Sequence, residues 1–223
     1  MIGIYRQRKI IIALAITGSM LLSACSVPEA KRPRSAAPRT PPVNGVNSAA
    51  FRQCAGQLAA LGALYTPLPD KSYGGGCTAY GAVRLDRISV PTTNLGPMTC
   101  PLAEKFTAWV RYAVQPAARV YFGSEVVRID SFGTYSCRNI AGSGKLSEHA
   151  HANAVDVAAF LLADGRRISL QNGWNGDEDS RQFLRRIRDS ACKRFRTVLS
   201  PDYNAAHHDH LHFDLGGRGT YCR

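Results

Sequence analysis

The segment SEHAHANAVDVAAFLLADGRRISL, residues 147–170, combines a β-hairpin pattern with two of the six histidines of the chain. From Ala154 onward the residues are mostly apolar and include valine, phenylalanine and isoleucine, which favour strands. Asp164-Gly165 is a dipeptide that favours a tight turn between two antiparallel strands. The segment therefore predicts a hairpin, and the residues HANA, 151–154, are expected to form a loop that leads into its first strand.

Three helices are predicted from apolar residues that recur at helical spacing, at residues 48–62, from Pro101 to about Val114, and from about Glu178 to Arg196. Pro116 is expected to stop or kink the second helix.

Further strands are predicted at residues 82–90, 125–137 and 208–215, where apolar and polar residues alternate. The order of elements indicates an α+β fold, with a small, mainly antiparallel sheet packed with about three helices. Length and pattern give one domain, residues 49–223.

The N-terminus, residues 1–24, has the pattern of a signal peptide, with basic residues before an apolar run that ends in LLSAC. This ending resembles the lipobox of bacterial lipoproteins, which implies that Cys25 carries a lipid. The alternatives are an ordinary cleaved signal peptide or an uncleaved anchor. All three predict a periplasmic domain, and the residues after Cys25 favour anchoring to the outer rather than the inner membrane.

Residues 25–48 are rich in proline, alanine, serine and arginine and show no apolar periodicity, so they are predicted to be a disordered tether. The chain has a formal net charge of +12. An exported basic domain suits an anionic cell wall or membrane surface. No aromatic-rich binding motif or recognition-helix signature accompanies the charge, so nucleic acid is not expected as a partner. The oligomeric state is left open.

Six cysteines follow Cys25, and an even number in an exported chain predicts three disulfides. Fifteen pairings are possible for six cysteines. Pairing of sequence neighbours would give Cys54–Cys77, Cys100–Cys137 and Cys192–Cys222. A cysteine metal site is disfavoured because no C-x-x-C pair occurs.

The six histidines all lie in two windows, residues 149–151 and 207–212. On a strand, His210 and His212 would share one face, with Leu211 on the other. His149 could fold back toward Asp156 at the start of the hairpin. Two imidazoles and one carboxylate suit a zinc site that keeps one position open for water. The alternative is a surface histidine tract that binds metal adventitiously, although such a tract needs no partner aspartate.

The sequence S-E-H-A-H-A-N-A-V-D and the later H-L-H resemble the two motifs, S-x-H-x-x-G-x-A-x-D and H-x-H, of the zinc peptidase superfamily that includes lysostaphin, D-Ala-D-Ala metallopeptidases and the hedgehog domain. The resemblance implies that His149, Asp156 and His212 bind Zn²⁺ and that His210 is catalytic. Ala152 stands where the motif usually has glycine. His207 is a further candidate for the catalytic group, beside the metal.

Smaller roles are expected for other polar residues near these motifs. Ser147 is expected to fix the ligand loop, and Asp209 or Asp214 to orient a ligand imidazole. His151 and His208 are interpreted as ordinary loop or strand residues.

A closer resemblance covers nearly the whole domain. CPLAEKFTAWV, QPAARVYFGS, YSCRN, LSEHAHANAVDVAAFLLADGRR and VLSPDYNAAHHDHLHFDLGGRG are similar to the bacterial family named for an extensin-like C-terminal domain. Together the resemblances imply a lipid-anchored zinc peptidase that cleaves an amide bond in peptidoglycan peptides. The alternative is a non-catalytic module that binds the cell wall or has a structural role.

Overall fold

The central element of the fold is the long strand predicted at the start of the hairpin. The structure, a computed structural model, describes residues 45–223, so the signal segment, Cys25 and most of the predicted tether lie outside the described residues. In chain order, the strands are β1 Leu64–Pro67, β2 Lys71–Gly74, β3 Cys77–Ala79, β4 Ala82–Arg87, β5 Met98–Thr99, β6 Val126–Gly133, β7 Ala154–Leu162, β8 Arg167–Ser169, β9 Thr197–Leu199, β10 Leu211–Asp214 and β11 Tyr221–Cys222.

The α-helices are α1 Ala49–Ala60, α2 Cys100–Trp109, α3 Gln115–Phe122, α4 Leu170–Gly173 and α5 Glu178–Cys192. The α+β prediction is confirmed. The main sheet has the order β11-β9-β10-β7-β6, with β8 also paired to β7. Its pairings are antiparallel except for β11 with β9. The predicted hairpin corresponds to β7 and β8.

The strand β7 is almost completely buried because it lies inside the main sheet. Its pairing with β6 skips Ala158, so that Ala159 faces Asp130 and Val157 faces Ser131. One extra residue in a strand reverses the alternation of faces beyond it. Val157 and Phe160 therefore both reach the core despite their odd spacing.

The helices cover the apolar face of the main sheet. Trp109 packs against Phe160 and Phe213 from the sheet, and its indole N–H donates to the carbonyl of Ile187 in α5 at 2.9 Å. The helix α5 begins as expected, because the Asp177 carboxylate accepts the backbone N–H of Ser180 at 2.9 Å. These contacts fix the sheet that carries the site described below.

The helical path does not stop at Pro116, which was one of the two outcomes expected there, a stop or a kink. The helical path continues from α2 through a π turn, Val110–Val114, into α3, and ends at Gly123 with φ 62°. The backbone N–H of Gln115 bonds to the carbonyl of Val110, five residues back. The wider π turn changes the hydrogen-bond register just where proline lacks a donor, so Pro116 is accommodated in the first turn of α3.

The predicted disulfide pairing is right for one bridge and wrong for two. Cys192–Cys222 forms as expected, but the other bridges are Cys54–Cys100 and Cys77–Cys137. Cys54 lies on the buried side of α1 next to the start of α2, where the Cα atoms are 6.1 Å apart. Cys77 in β3 joins the loop after β6, with a Cα separation of 5.6 Å. Spatial contact between elements, rather than nearness in sequence, decides these pairs.

Among residues 45–223, no helix has the length and apolar character needed to cross a membrane.

The observed pairing predicts the products of digestion without reduction. A peptide that contains Cys54 should remain covalently joined to one that contains Cys100, and Cys77 to Cys137, as measured by mass spectrometry of the oxidised protein. Recovery of Cys54 joined to Cys77 would contradict this arrangement.

Candidate metal centre

Three polar side chains from three different elements meet on the polar side of the main sheet. His149 comes from a short 3-10 turn, Glu148–His151, Asp156 from β7 and His212 from β10. All three are buried, and one potential ligand atom from each lies within 4.8 Å of the others. The structure thus brings together the three residues that the sequence motifs indicated as metal ligands.

The local sequence explains how His149 reaches this position. Ser147 caps the 3-10 turn, and its hydroxyl accepts the backbone N–H of His149 at 3.3 Å. Asp156 and His212 face each other directly in the antiparallel pairing of β7 with β10. Directly opposed residues on one face have Cβ atoms about 4.5–5.5 Å apart, which suits two ligands of one ion.

Hydrogen bonds on the outer side of each imidazole determine which nitrogen faces the centre. The Nδ1 of His149 lies 3.1 Å from the carbonyl oxygen of Thr134, which can only accept, so Nδ1 carries the proton and Nε2 has a free lone pair. The Nε2 of His212 lies 2.9 Å from a carboxylate oxygen of Asp214. Of the two predicted aspartates, Asp214 is therefore the one placed to orient the imidazole of a candidate ligand.

The inward-facing atoms lie too close together without a cation among them. The Nε2 of His149 is 3.2 Å from the Nδ1 of His212 and 3.1 Å from a carboxylate oxygen of Asp156. The Nδ1 of His212 is 2.8 Å from the other oxygen of Asp156. Lone pairs on two imidazoles and a carboxylate repel one another at such distances unless a proton or a metal ion lies between them.

The pKa values agree with this requirement for a cation. Burial opposes charge on Asp156, but the close approach of the His149 and His212 imidazoles outweighs it and holds the pKa of Asp156 below its usual range. Burial also opposes charge on His212, but hydrogen bonds to Asp156 and Asp214 outweigh it and raise the pKa of His212 to about 9. In the metal-free chain a proton on His212 supplies the positive charge. A metal ion bound by the same atoms would replace it, so the donor set fits a metal ion.

His210 lies at the edge of this group, directly before β10 begins. Its Nε2 is 3.7 Å from a carboxylate oxygen of Asp156, and its side chain is 12% exposed. Its Nδ1 lies 2.8 Å from the carboxylate of Asp209, so Nδ1–H donates and Nε2 is free. Asp209 therefore orients the predicted catalytic histidine rather than a ligand. The exposed ring of Phe132 meets the His210 ring edge-on.

His207 lies beside His210 in a second 3-10 turn, Ala205–His207, with 5.0 Å between the ring centroids. Its Nδ1 is 2.7 Å from the side-chain oxygen of Asn204, and its ring meets the ring of Tyr203 edge-on. Burial, together with the nearby charges of His210 and His212, lowers the pKa of His207 to about 4. His207 is therefore neutral at neutral pH.

The remaining histidines point elsewhere. The Nδ1 of His151 is 3.1 Å from the hydroxyl of Thr78, and the Nδ1 of His208 is 2.9 Å from the carbonyl of Ala205. Residue patterns could not identify the carbonyl of Thr134 as a partner of His149, because any residue type supplies a carbonyl. Phe132 and Asn204 were also missed, since only the tertiary fold brings them near the histidines.

Ala152 adopts a backbone conformation that normally favours glycine. Its φ is 52°, in the left-handed region, and the residue is fully buried. Its N–H bonds to the carbonyl of His149 at 3.2 Å, and its carbonyl accepts the N–H of Thr99 at 2.7 Å. The left-handed turn is thus what directs the chain from the 3-10 turn into β7.

The fold and this site together define a disulfide-bonded α+β domain with a buried group of two histidines and one aspartate that could hold a metal ion. The family described as extensin-like protein C-terminus matches residues 52–223, and the chain belongs to that family. No curated protein and no solved structure gave a significant match to the chain.

Replacing Asp214 by asparagine should weaken metal binding. The carboxylate that holds His212 would become a neutral amide, and loss of such a partner typically costs about 10–100-fold in metal affinity. Competition with a chromophoric chelator would measure this for Zn²⁺. Asp164→Asn removes an exposed aspartate at the β7–β8 turn and is the matched control. Equal affinities of the two variants would contradict the role of Asp214.

Two substitutions at Ala152 should differ sharply in stability. Glycine relieves about 1–2 kcal/mol of backbone strain in the left-handed conformation. Two losses offset this gain: the buried methyl group is removed, and the unfolded chain gains conformational freedom. The free energy of unfolding of Ala152→Gly should therefore stay within about 1 kcal/mol of the wild type. Ala152→Val combines a β-branched residue, positive φ and a filled core, and should destabilise by about 3 kcal/mol or more in urea unfolding. Similar free energies of unfolding for the two variants would contradict the proposed strain at Ala152.

Proposed function

We propose that this protein is a zinc-dependent peptidase that hydrolyses an amide bond in peptidoglycan peptides. The observation that carries the proposal is the buried group of His149, Asp156 and His212, in which one potential ligand atom of each residue lies close to those of the other two. His210 lies beside that group, and its Nε2 is available because the hydrogen bond to Asp209 is made through Nδ1. This available nitrogen supports turnover rather than a purely structural site.

The donor set favours zinc over other metals. Two imidazole nitrogens and one carboxylate oxygen form a typical ligand set of catalytic zinc, which keeps a further position open. Sulfur ligands are not offered, since the six cysteines of the described domain are paired in disulfides. A bound zinc ion would supply Lewis-acid polarisation of a carbonyl and activation of water.

His210 is proposed to transfer the proton. The Asp209 carboxylate holds Nδ1–H, which leaves Nε2 able to accept a proton from the attacking water and then to donate it to the departing amine. The same carboxylate stabilises the imidazolium while the proton is held. The Nε2 of His210 lies 3.7 Å from Asp156, so this exchange would take place beside the candidate metal ligands.

His207 is proposed to position water or substrate by accepting a hydrogen bond. Because its pKa lies near 4, it does not add positive charge beside His210 at neutral pH. With Nδ1–H donated to Asn204, its Nε2 can accept a hydrogen bond from water or substrate. The exposed rings of Phe132 and Tyr203, 57% and 40% exposed, flank the two histidines and offer surfaces on which a substrate can pack.

The proposed location and substrate rest on separate support. Three disulfides suit an oxidising compartment such as the periplasm. The N-terminal pattern that ends at Cys25 supports a lipid anchor, with the outer membrane favoured. Peptidoglycan is proposed because it is the peptide-bearing polymer of that compartment and because of the resemblance to peptidoglycan-cleaving zinc peptidases.

The test compares zinc-loaded and EDTA-stripped protein on intact peptidoglycan, with the soluble fragments profiled by mass spectrometry. New peptide ends should appear only with zinc. His210→Ala should retain its zinc and lose at least about 100-fold in rate, since general acid–base groups contribute about 10²–10⁴-fold.

The neighbouring His208→Ala is the matched control and should cleave at a rate within about twofold of wild type. His208 is exposed, its Nδ1 bonds to the carbonyl of Ala205, and its Nε2 lies 3.8 Å from Asp209, a weak contact compared with the 2.8 Å bond between Asp209 and His210. Wild-type cleavage by His210→Ala would refute the assigned role of His210. Zinc binding by the wild type without cleavage would favour a non-catalytic module that binds the cell wall.

A further inference from the structure

A second concave site lies apart from the metal centre. It is an open cavity of about 780 Å³ between the first turns of α1 and α2, strand β3, the chain after α5 and the end of β10. The cavity shares no lining residue with the group at the candidate metal centre and the two histidines beside it. These five residues are His149, Asp156, His207, His210 and His212. We refer to it as the basic cavity, because of the residues named next.

The basic cavity has a one-sided charge. Four cationic side chains line the cavity: Lys105, Lys193, Arg194 and Arg196. Among the residues that the structure describes, no aspartate or glutamate lines it. None of the four has a carboxylate within ion-pair distance in the described part of the chain. Asp70 lies close by, but it is engaged with the backbone N–H of Gly81 and of Val46.

The two arginines are held in place by neutral groups, so their charge is not cancelled. Arg194 donates through Nη1 to the carbonyl of Ser190 at 3.0 Å, and Arg196 donates through Nη1 to the carbonyl of Gly217 at 2.7 Å. A guanidinium has five N–H donors, so each retains donors for a ligand.

The start of α2 adds further positive potential. Thr99, Cys100 and Pro101 line the cavity, and Thr99 at the N-cap makes no side-chain capping bond. Its hydroxyl instead donates to the side-chain oxygen of Asn153 at 3.0 Å. The N-terminus of a helix carries partial positive charge that favours an anion nearby. Its contribution here is that of the dipole, because the N–H of Cys100 bonds to the carbonyl of Gly81 and Pro101 has no N–H.

The floor of the cavity is apolar and well packed. Phe51 and Phe195 are buried there beside the Cys54–Cys100 bridge, and Phe195 stacks on Phe213 of β10 with 4.8 Å between the ring centroids. A pre-formed floor of this kind lowers the ordering cost of binding and accommodates the organic part of a ligand.

We propose that the basic cavity binds a phosphate group of a phosphate-bearing ligand. Four unneutralised cations and a helix N-terminus match the multiple negative charges of phosphate better than the single charge of a carboxylate. Arginine forks and lysine ammonium groups are the usual partners of phosphate oxygens. The phosphate can belong to a lipid headgroup or to a soluble phosphate compound, and both use the same contacts.

Calorimetric titration of the purified protein with inorganic pyrophosphate tests the proposal. We expect saturable binding with about one site per chain. Lys105→Gln/Lys193→Gln should weaken it at least about tenfold, because two of the facing charges are lost. The matched control, Lys71→Gln/Lys145→Gln, removes the same net charge from exposed positions outside the cavity and should stay within about twofold.

A second variant separates loss of charge from loss of structure. Lys105→Arg/Lys193→Arg retains both charges and should keep pyrophosphate affinity within about threefold. Absence of saturable pyrophosphate binding would overturn the proposal, as would equal weakening by the cavity variant and its matched control. Binding of citrate with no binding of pyrophosphate would also overturn it, in favour of a carboxylate site.

Titration with soluble dihexanoyl phosphatidylglycerol distinguishes the two sources of phosphate. If the wild type binds this lipid and the Lys105→Gln/Lys193→Gln variant does not, the source of the phosphate is a lipid headgroup. Pyrophosphate binding without binding of this lipid would identify a soluble phosphate compound. Either result supports a phosphate site in the basic cavity, and neither depends on whether the metal centre cleaves peptides.

Discussion

The antiparallel register of β7 and β10 is the constraint on which the candidate metal centre depends. In this register His212 faces Asp156, and Phe213 faces Val155. A slip of one residue would turn every side chain of β10 to the opposite face of the sheet. His212 and Asp214 would enter the apolar core, and Leu211 and Phe213 would replace them on the polar side. The ligand group and the apolar packing are therefore specified by the same pairing.

The core makes this register costly to change. Phe213 is fully buried, stacks on Phe195 and meets the edge of Trp109. Burying one such side chain contributes about 1.5–3 kcal/mol. The Cys77–Cys137 bridge adds a constraint from outside the core, because Cys137 follows the segment whose Thr134 carbonyl holds His149. The residues around the metal centre are thus positioned by packing and cross-links that do not themselves contact a ligand.

Sequence alone predicted the parts of this arrangement that follow from local pattern. Alternation put His212 and Asp214 on one face of a strand, and the 147–156 motif supplied His149 and Asp156. Prediction from sequence failed where contacts between residues far apart in the chain determine the structure. Two disulfides depend on how α1 meets α2 and how β3 meets the loop after β6. Pro116 did not end its helix because a π turn precedes it. His210 precedes β10, yet still reaches Asp156 because the turn before the strand is held by Asn204.

The central claim is that the buried group on β7, β10 and the 3-10 turn is a metal site. The most direct test is the zinc content of the purified protein, by plasma mass spectrometry after dialysis against metal-free buffer, beside an Asp156→Ala variant. We expect about one zinc ion per chain in the wild type, as for three ligands converging on one ion, and near-complete loss in the variant. No retained zinc in the wild type, or equal zinc in both proteins, would contradict the account.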